Sequence, residues 1–128
     1  MVRFLGIVSA IVFLSGCASQ SQPETSASGG KVVAMTDFSF SPRQITVAAG
    51  DTVQWRNDSI ISWHTVTCDP SKAKKPDSTA LPAGAEPFDS GRVNSHGVYS
   101  YTFTTPGTYR YFCKPHEGMG MIGEVTVK

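Results

Sequence analysis

Residues 98–103 read Val-Tyr-Ser-Tyr-Thr-Phe, which puts Tyr99, Tyr101 and Phe103 on one side of an extended chain and Val98, Ser100 and Thr102 on the other. A helix would scatter those aromatic rings around its axis, so a strand with one apolar face is the form this stretch allows. Thr105, Pro106 and Gly107 turn the chain back, and Tyr109, Tyr111 and Cys113 then share one face of the next run. Similar short runs precede this pair. Residues 31–35 are apolar, Phe38 and Phe40 alternate up to a break at Pro42, Ile45 and Val47 flank Thr46, and Val53, Trp55 and Asn57 follow a turn at residues 49–51. Val125 and Val127 supply a last strand. About eight short strands, with turns every eight to twelve residues or so and no helical period, predict an all-β, antiparallel Greek-key β-sandwich. Residues 69–87 carry Pro70, Pro76, Pro82 and Pro87 and read as a surface excursion with at most a short helical turn near residues 71–75. Its lysines, Lys72, Lys74 and Lys75, read as a solvated face. Tyr109, just past a Pro-Gly turn, suits the corner hydrogen bond that sandwiches use.

The amino terminus follows different rules. Arg3 precedes a short apolar run over residues 4–14, well below the ~20 residues a membrane-crossing helix needs. Leu14-Ser15-Gly16-Cys17 resembles the lipobox of bacterial lipoproteins, in which the cysteine is lipid-modified and becomes the new amino terminus. Residues 1–16 are therefore expected to be a signal peptide, residues 17–30 a lipidated Cys17 and flexible linker, and residues 31–128 the folded domain. The expected protein is exported to the periplasmic or cell-surface side and tethered to a membrane through Cys17, with a leash of at most about 45 Å when extended. A chain of 128 residues leaves room for one compact domain. Its net charge of +1, with basic residues scattered, lacks the footprint of a nucleic-acid binder.

Chemistry concentrates in residues 109–123. Cys113, His116, Met119 and Met121 bring a thiol, an imidazole and two thioethers close together. Soft sulfur suits Cu(I) and imidazole suits Cu(II), so this donor mixture fits copper. Zinc normally takes four nitrogen or sulfur donors and stays open as an alternative, although the chain holds only three His and three Cys. A catalytic Cys-His pair is a further alternative, and set against it is a two-residue, proline-containing spacing. His64 points inward on the alternation of residues 64–68 with Val66 and Cys68, and it is the imidazole the Cys113 cluster lacks. Cys68, without a spare partner, is expected to be a buried small hydrophobe, and His96 to lie exposed in a turn.

Phe38-x-Phe40-x-Pro42, Ile45-Thr46-Val47, Ala49-Gly50-Asp51-Thr52-Val53, Trp55, His64 and Cys113-x-x-His116-x4-Met121-x-Gly123 together resemble the small blue copper proteins of the plastocyanin and amicyanin group, the cupredoxins. The resemblance spans residues 31–128 and implies a cupredoxin-like sandwich holding one type 1 copper ion. It implies His64, Cys113 and His116 as ligands with Met121 as axial donor, because residues 120–127 follow the plastocyanin pattern, whereas Met119 would give the shorter loop of amicyanins. It further implies a monomeric one-electron carrier, not an enzyme, that meets redox proteins transiently through an apolar surface of Phe38, Trp63, Pro115, Gly118 and Met119. A copper carrier or storage protein would use the same ligands. A second copper centre would need further imidazoles, and His96 alone remains. One departure concerns the residue after the first ligand: plastocyanins carry asparagine there, and Thr65 leaves the side-chain brace between the ligand loops in doubt.

Overall fold

The computed structural model describes residues 30–128, so the expected signal segment, Cys17 and nearly all of the linker lie outside the described residues. Among the described residues nine strands realise the alternation: β1 (Lys31–Thr36), β2 (Ser39–Ser41), β3 (Gln44–Val47), β4 (Thr52–Asn57), β5 (Thr67–Cys68), β6 (Phe88–Asp89), β7 (Val98–Thr102), β8 (Gly107–Phe112) and β9 (Ile122–Val127). They form a four-stranded sheet in the order β2-β1-β4-β7 and a five-stranded sheet in the order β3-β9-β8-β5-β6. The result is the expected β-sandwich, with a difference in strand direction. β1 runs parallel to β4 and β3 parallel to β9, while the remaining pairs are antiparallel. Period-two alternation specifies which side chains face inward and carries no information about a neighbour's direction.

Aromatic rings fasten the two sheets together. Trp55 of β4 meets Tyr111 of β8 edge to face at 5.3 Å, and Phe103, just past β7, meets Tyr109 of β8 at 4.8 Å. Phe40 also meets Tyr111 edge to face, at 4.8 Å. Trp55, Phe103 and Tyr111 are fully buried, and burial of a large apolar side chain contributes about 1.5–3 kcal/mol. The Tyr109 hydroxyl donates to the Thr105 carbonyl at 2.7 Å, the corner bond that its position after Pro106 and Gly107 implies.

The excursion across residues 69–87 contains two single turns of 3-10 helix, Pro70–Lys72 and Pro76–Ser78, each opened by a proline whose missing N–H costs nothing at that position. Cys68 is fully buried and unpaired, its thiol donating toward the carbonyls of Ala80 and Arg110 at 3.3 Å each. Burial pushes that thiol up to about 11, which keeps it protonated and unreactive. His96 lies exposed in its turn with φ 61°.

Gly123 explains itself only in three dimensions. It pairs with Tyr111 across β8 and β9, and a Cβ there would overlap the Tyr111 ring. Replacing Gly123 with alanine must displace the ring on which Phe40 and Trp55 pack. The expected outcome for Gly123→Ala is a loss of about 1–3 kcal/mol in a urea-unfolding experiment, the usual cost of overpacking a core.

Candidate metal centre

One end of the sandwich gathers the donors predicted from the sequence. Cys113 follows the last residue of β8 and opens a 3-10 segment, Lys114–Met119, with Pro115 in its first turn. Gly120 ends that segment in the left-handed conformation, φ 77°, where a side chain would be strained. Three backbone bonds hold the loop shut: Cys113 N–H to Met121 O at 3.0 Å, His116 N–H to Cys113 O at 3.1 Å, and Met121 N–H to His116 O at 3.3 Å. His64 arrives from the loop between β4 and β5, fixed by a two-way backbone bridge to Val93 at 3.1 and 2.8 Å.

Cys113 Sγ lies 3.6 Å from His64 Nδ1 and 3.5 Å from His116 Nδ1, and the two Nδ1 atoms are 3.2 Å apart. His64 and Cys113 are fully buried, and His116 is partly exposed. Burial lowers the His64 imidazole below its ordinary range, with the charge of His116 adding to the effect, so neutral imidazole is the favoured form. With Nε2 protonated and directed at Ser59 Oγ, 2.9 Å away, the Nδ1 lone pair of His64 is left facing the sulfur. Burial pushes the Cys113 thiol up, opposed in part by the hydrogen bond it receives from the Thr65 N–H. A dehydrated thiolate beside two imidazole nitrogens is stable only around a cation, and a soft metal ion meets that need. The donor set therefore fits copper. Met121 is fully buried beside this loop, whereas Met119 is 64% exposed.

The doubt over Thr65 is resolved in favour of a brace. Its N–H donates to Cys113 Sγ at 3.4 Å, and its hydroxyl accepts the Lys114 N–H at 2.9 Å, tying together loops about fifty residues apart in sequence. A second tie was not foreseen. Glu117 is 2% exposed, and its carboxylate accepts the backbone N–H groups of Lys74 (2.9 and 3.1 Å) and Lys75 (3.0 Å), fastening the ligand loop to the excursion. Ser59 was also missed. Its own N–H donates to Asn57 Oδ1 at 2.9 Å, and its carbonyl accepts the Ser95 hydroxyl at 2.6 Å. Only the folded loops reveal either role, since neither Glu117 nor Ser59 stands in a recognisable spacing.

The residues expected at the docking surface are accessible. Phe38 is 50% exposed and meets the His116 ring edge-on at 5.1 Å, while Pro115, Gly118 and Met119 are exposed on the ligand loop itself. Trp63 sits at the margin of exposure with the Arg92 guanidinium 4.8 Å from its ring centroid. Ile60 and Ile61, both strongly exposed, extend the apolar character of the loop leading to His64 and had no signal in the alternation.

Comparison with known proteins agrees with this geometry. The family model for copper binding proteins of the plastocyanin/azurin family matches residues 28–128. A plastocyanin from Prochlorothrix hollandica is 31% identical over 98% of this chain and 93% of its own length. One from Scenedesmus fuscus is 38% identical over 70% of this chain and 86% of its own. Among solved structures, the Cu(I) form of an amicyanin mutant is similar with a TM-score of 0.61 and 30% identity, covering 78% of this chain and 83% of that one.

The Glu117 tie leads to a stability prediction. Glu117→Ala removes the acceptor of the part-buried Lys74 and Lys75 N–H groups and is expected to lower unfolding free energy by about 1 kcal/mol. Glu117→Gln, which keeps one acceptor oxygen, should lose less in the same denaturant titration.

Proposed function

Since this chain belongs to the plastocyanin/azurin family of copper-binding proteins, we propose that His64, Cys113 and His116, with Met121 as the axial donor, hold its type 1 copper ion. The protein is a one-electron carrier. The observation that carries the ligand assignment is the convergence of one sulfur and two imidazole nitrogens, all within 4.8 Å of one another, at the buried end of the sandwich.

When bound, copper supplies a one-electron couple between Cu(II) and Cu(I). The chain's part is to hold its donors still. Backbone bonds within residues 113–121, the Val93 bridge to His64 and the Thr65 brace fix the side chains before any electron arrives, which keeps rearrangement small. The buried position of Met121 and the exposure of Met119 support Met121 as the thioether donor. His116, partly exposed and in contact with Phe38, is the route by which electrons enter and leave.

Phe38, Trp63, Pro115, Gly118 and Met119 form the contact surface for donor and acceptor redox proteins, in encounters small enough to dissociate quickly. The carrier works as a monomer on the exported, periplasmic or cell-surface side, leashed to the membrane by a lipid on Cys17. Support for the leash lies in the lipobox-like Leu14-Ser15-Gly16-Cys17 and the polar linker after it.

Adding Cu(II) to the purified protein should produce an intense blue thiolate-to-copper band and a reversible one-electron wave; a colourless protein, or one that prefers zinc, refutes the assignment. A blue protein that transfers its metal without cycling would be a copper carrier instead. Met121→Leu should move the midpoint potential and the copper spectrum far more than Met119→Leu. Mass measurement on protein extracted from the membrane fraction should find a lipidated Cys17 at the mature amino terminus, and a soluble form cut elsewhere contradicts the leash.

A further inference from the structure

Beneath the metal cluster runs a chain of hydrogen bonds that ends on Asp89. β5 lies between β6 and β8, so Thr67 is paired with Asp89 on one side and with Phe112 on the other. Asp89 Oδ1 accepts the Thr67 hydroxyl at 3.1 Å and the Gly91 N–H at 2.9 Å. Asp89 Oδ2 accepts Lys114 Nζ at 2.7 Å and Lys72 Nζ at 2.9 Å. Burial opposes charge on this carboxyl, but the two ammonium groups, the Gly91 N–H and the Thr67 hydroxyl hold it well below the usual carboxylate range. It is an ionised acceptor at neutral pH.

That charge fixes the direction of every bond behind it. A hydroxyl has one hydrogen to give, and an ionised carboxylate can only accept. Thr67 commits its hydrogen to Asp89, so the 2.9 Å contact between Thr65 Oγ1 and Thr67 Oγ1 must use the hydrogen of Thr65. The Thr65 oxygen then receives the Lys114 N–H at 2.9 Å. The relay therefore runs from Lys114 N–H through Thr65 and Thr67 to Asp89, with Thr65 and Thr67 both buried. Its consequence falls on Cys113. The sulfur receives the Thr65 N–H at 3.4 Å, while the Thr65 hydroxyl hydrogen is drawn away from it.

We propose that Asp89 and Thr67 are positioning residues for the thiolate ligand: by holding the Thr65 hydroxyl turned away from Cys113 Sγ, they keep a second hydrogen bond off the sulfur. Each hydrogen bond to a thiolate withdraws electron density from it and weakens its donation to Cu(II), so the relay holds the reduction potential down and the charge-transfer band at longer wavelength. Loss of the Asp89 negative charge acts in the same direction, because it favours the less positive Cu(I) state.

The inference rests on the copper-carrier reading, and the wild-type full chain tests that reading first by its blue band. Thr67→Val, close in shape but without a hydroxyl, frees the Thr65 hydrogen. The copper-loaded variant should show a raised midpoint potential and a band moved to shorter wavelength, with copper stoichiometry unchanged. Thr67→Ser should restore wild-type values, a rescue that mere packing would not predict. Asp89→Asn should shift both readouts in the same direction as Thr67→Val, and its band shift to shorter wavelength, which loss of charge alone does not require, decides the matter should the valine variant fail to fold. Blue, folded variants whose potential and band stay at wild-type values, or whose potential falls, overturn the relay alone; a wild-type protein without the band overturns the relay together with the copper reading.

Discussion

A sulfur and two imidazole nitrogens, within 3.6 Å of one another and mostly removed from water, make an arrangement that no chain adopts for its own stability. Burial disfavours the thiolate at Cys113 and the protonated ring at His64, and the Nδ1 atoms of both imidazoles face the same small volume. The rest of the molecule is arranged to make that cluster tolerable. Interlocked rings of Trp55, Tyr111, Phe103 and Phe40 supply the apolar burial, and the ligand loop is fastened at both flanks, by Thr65 on one side and Glu117 on the other.

Much of this was legible in the residues because two signals were local. The alternation of Tyr99, Tyr101 and Phe103 belongs to β7 and its exit, and Tyr109 makes its corner bond four residues back. Cys68 is the buried, unpaired thiol its face implied. Pairing direction was not legible, because β1 beside β4 and β3 beside β9 carry the same alternation whether parallel or antiparallel. The alternation, which puts Phe38 and Phe40 on one face, did not separate exposed Phe38 from buried Phe40; only the family resemblance did.

The candidate site divides in the same way. His64, Cys113 and His116 converge as their spacing and family resemblance suggested, because metal donors impose residue types that few other roles share. Their supports use ordinary chemistry. Ser59 on His64, Glu117 on Lys74 and Lys75, and Asp89 at the end of the threonine relay are polar residues of common type whose partners are set by the folded loops. Lys72, read as a solvated charge, is exposed and also meets Lys114 on the Asp89 carboxylate. Thr65 forms a brace of its own, since its hydroxyl oxygen accepts the Lys114 N–H.

His64 and His116 differ in one respect that reaches beyond the site. His64 is sealed by Ser59 and fully buried, while His116 keeps partial exposure next to Phe38. On the reading proposed above, with electrons passing by way of His116, the centre loads and discharges through the same opening. Two partners that both need that opening exclude each other, so traffic through the molecule is sequential, and its ceiling is set by how fast one partner leaves before the next arrives. Tight recognition would then slow the carrier, and an apolar rim with little to grip is the form that such a toll gate requires.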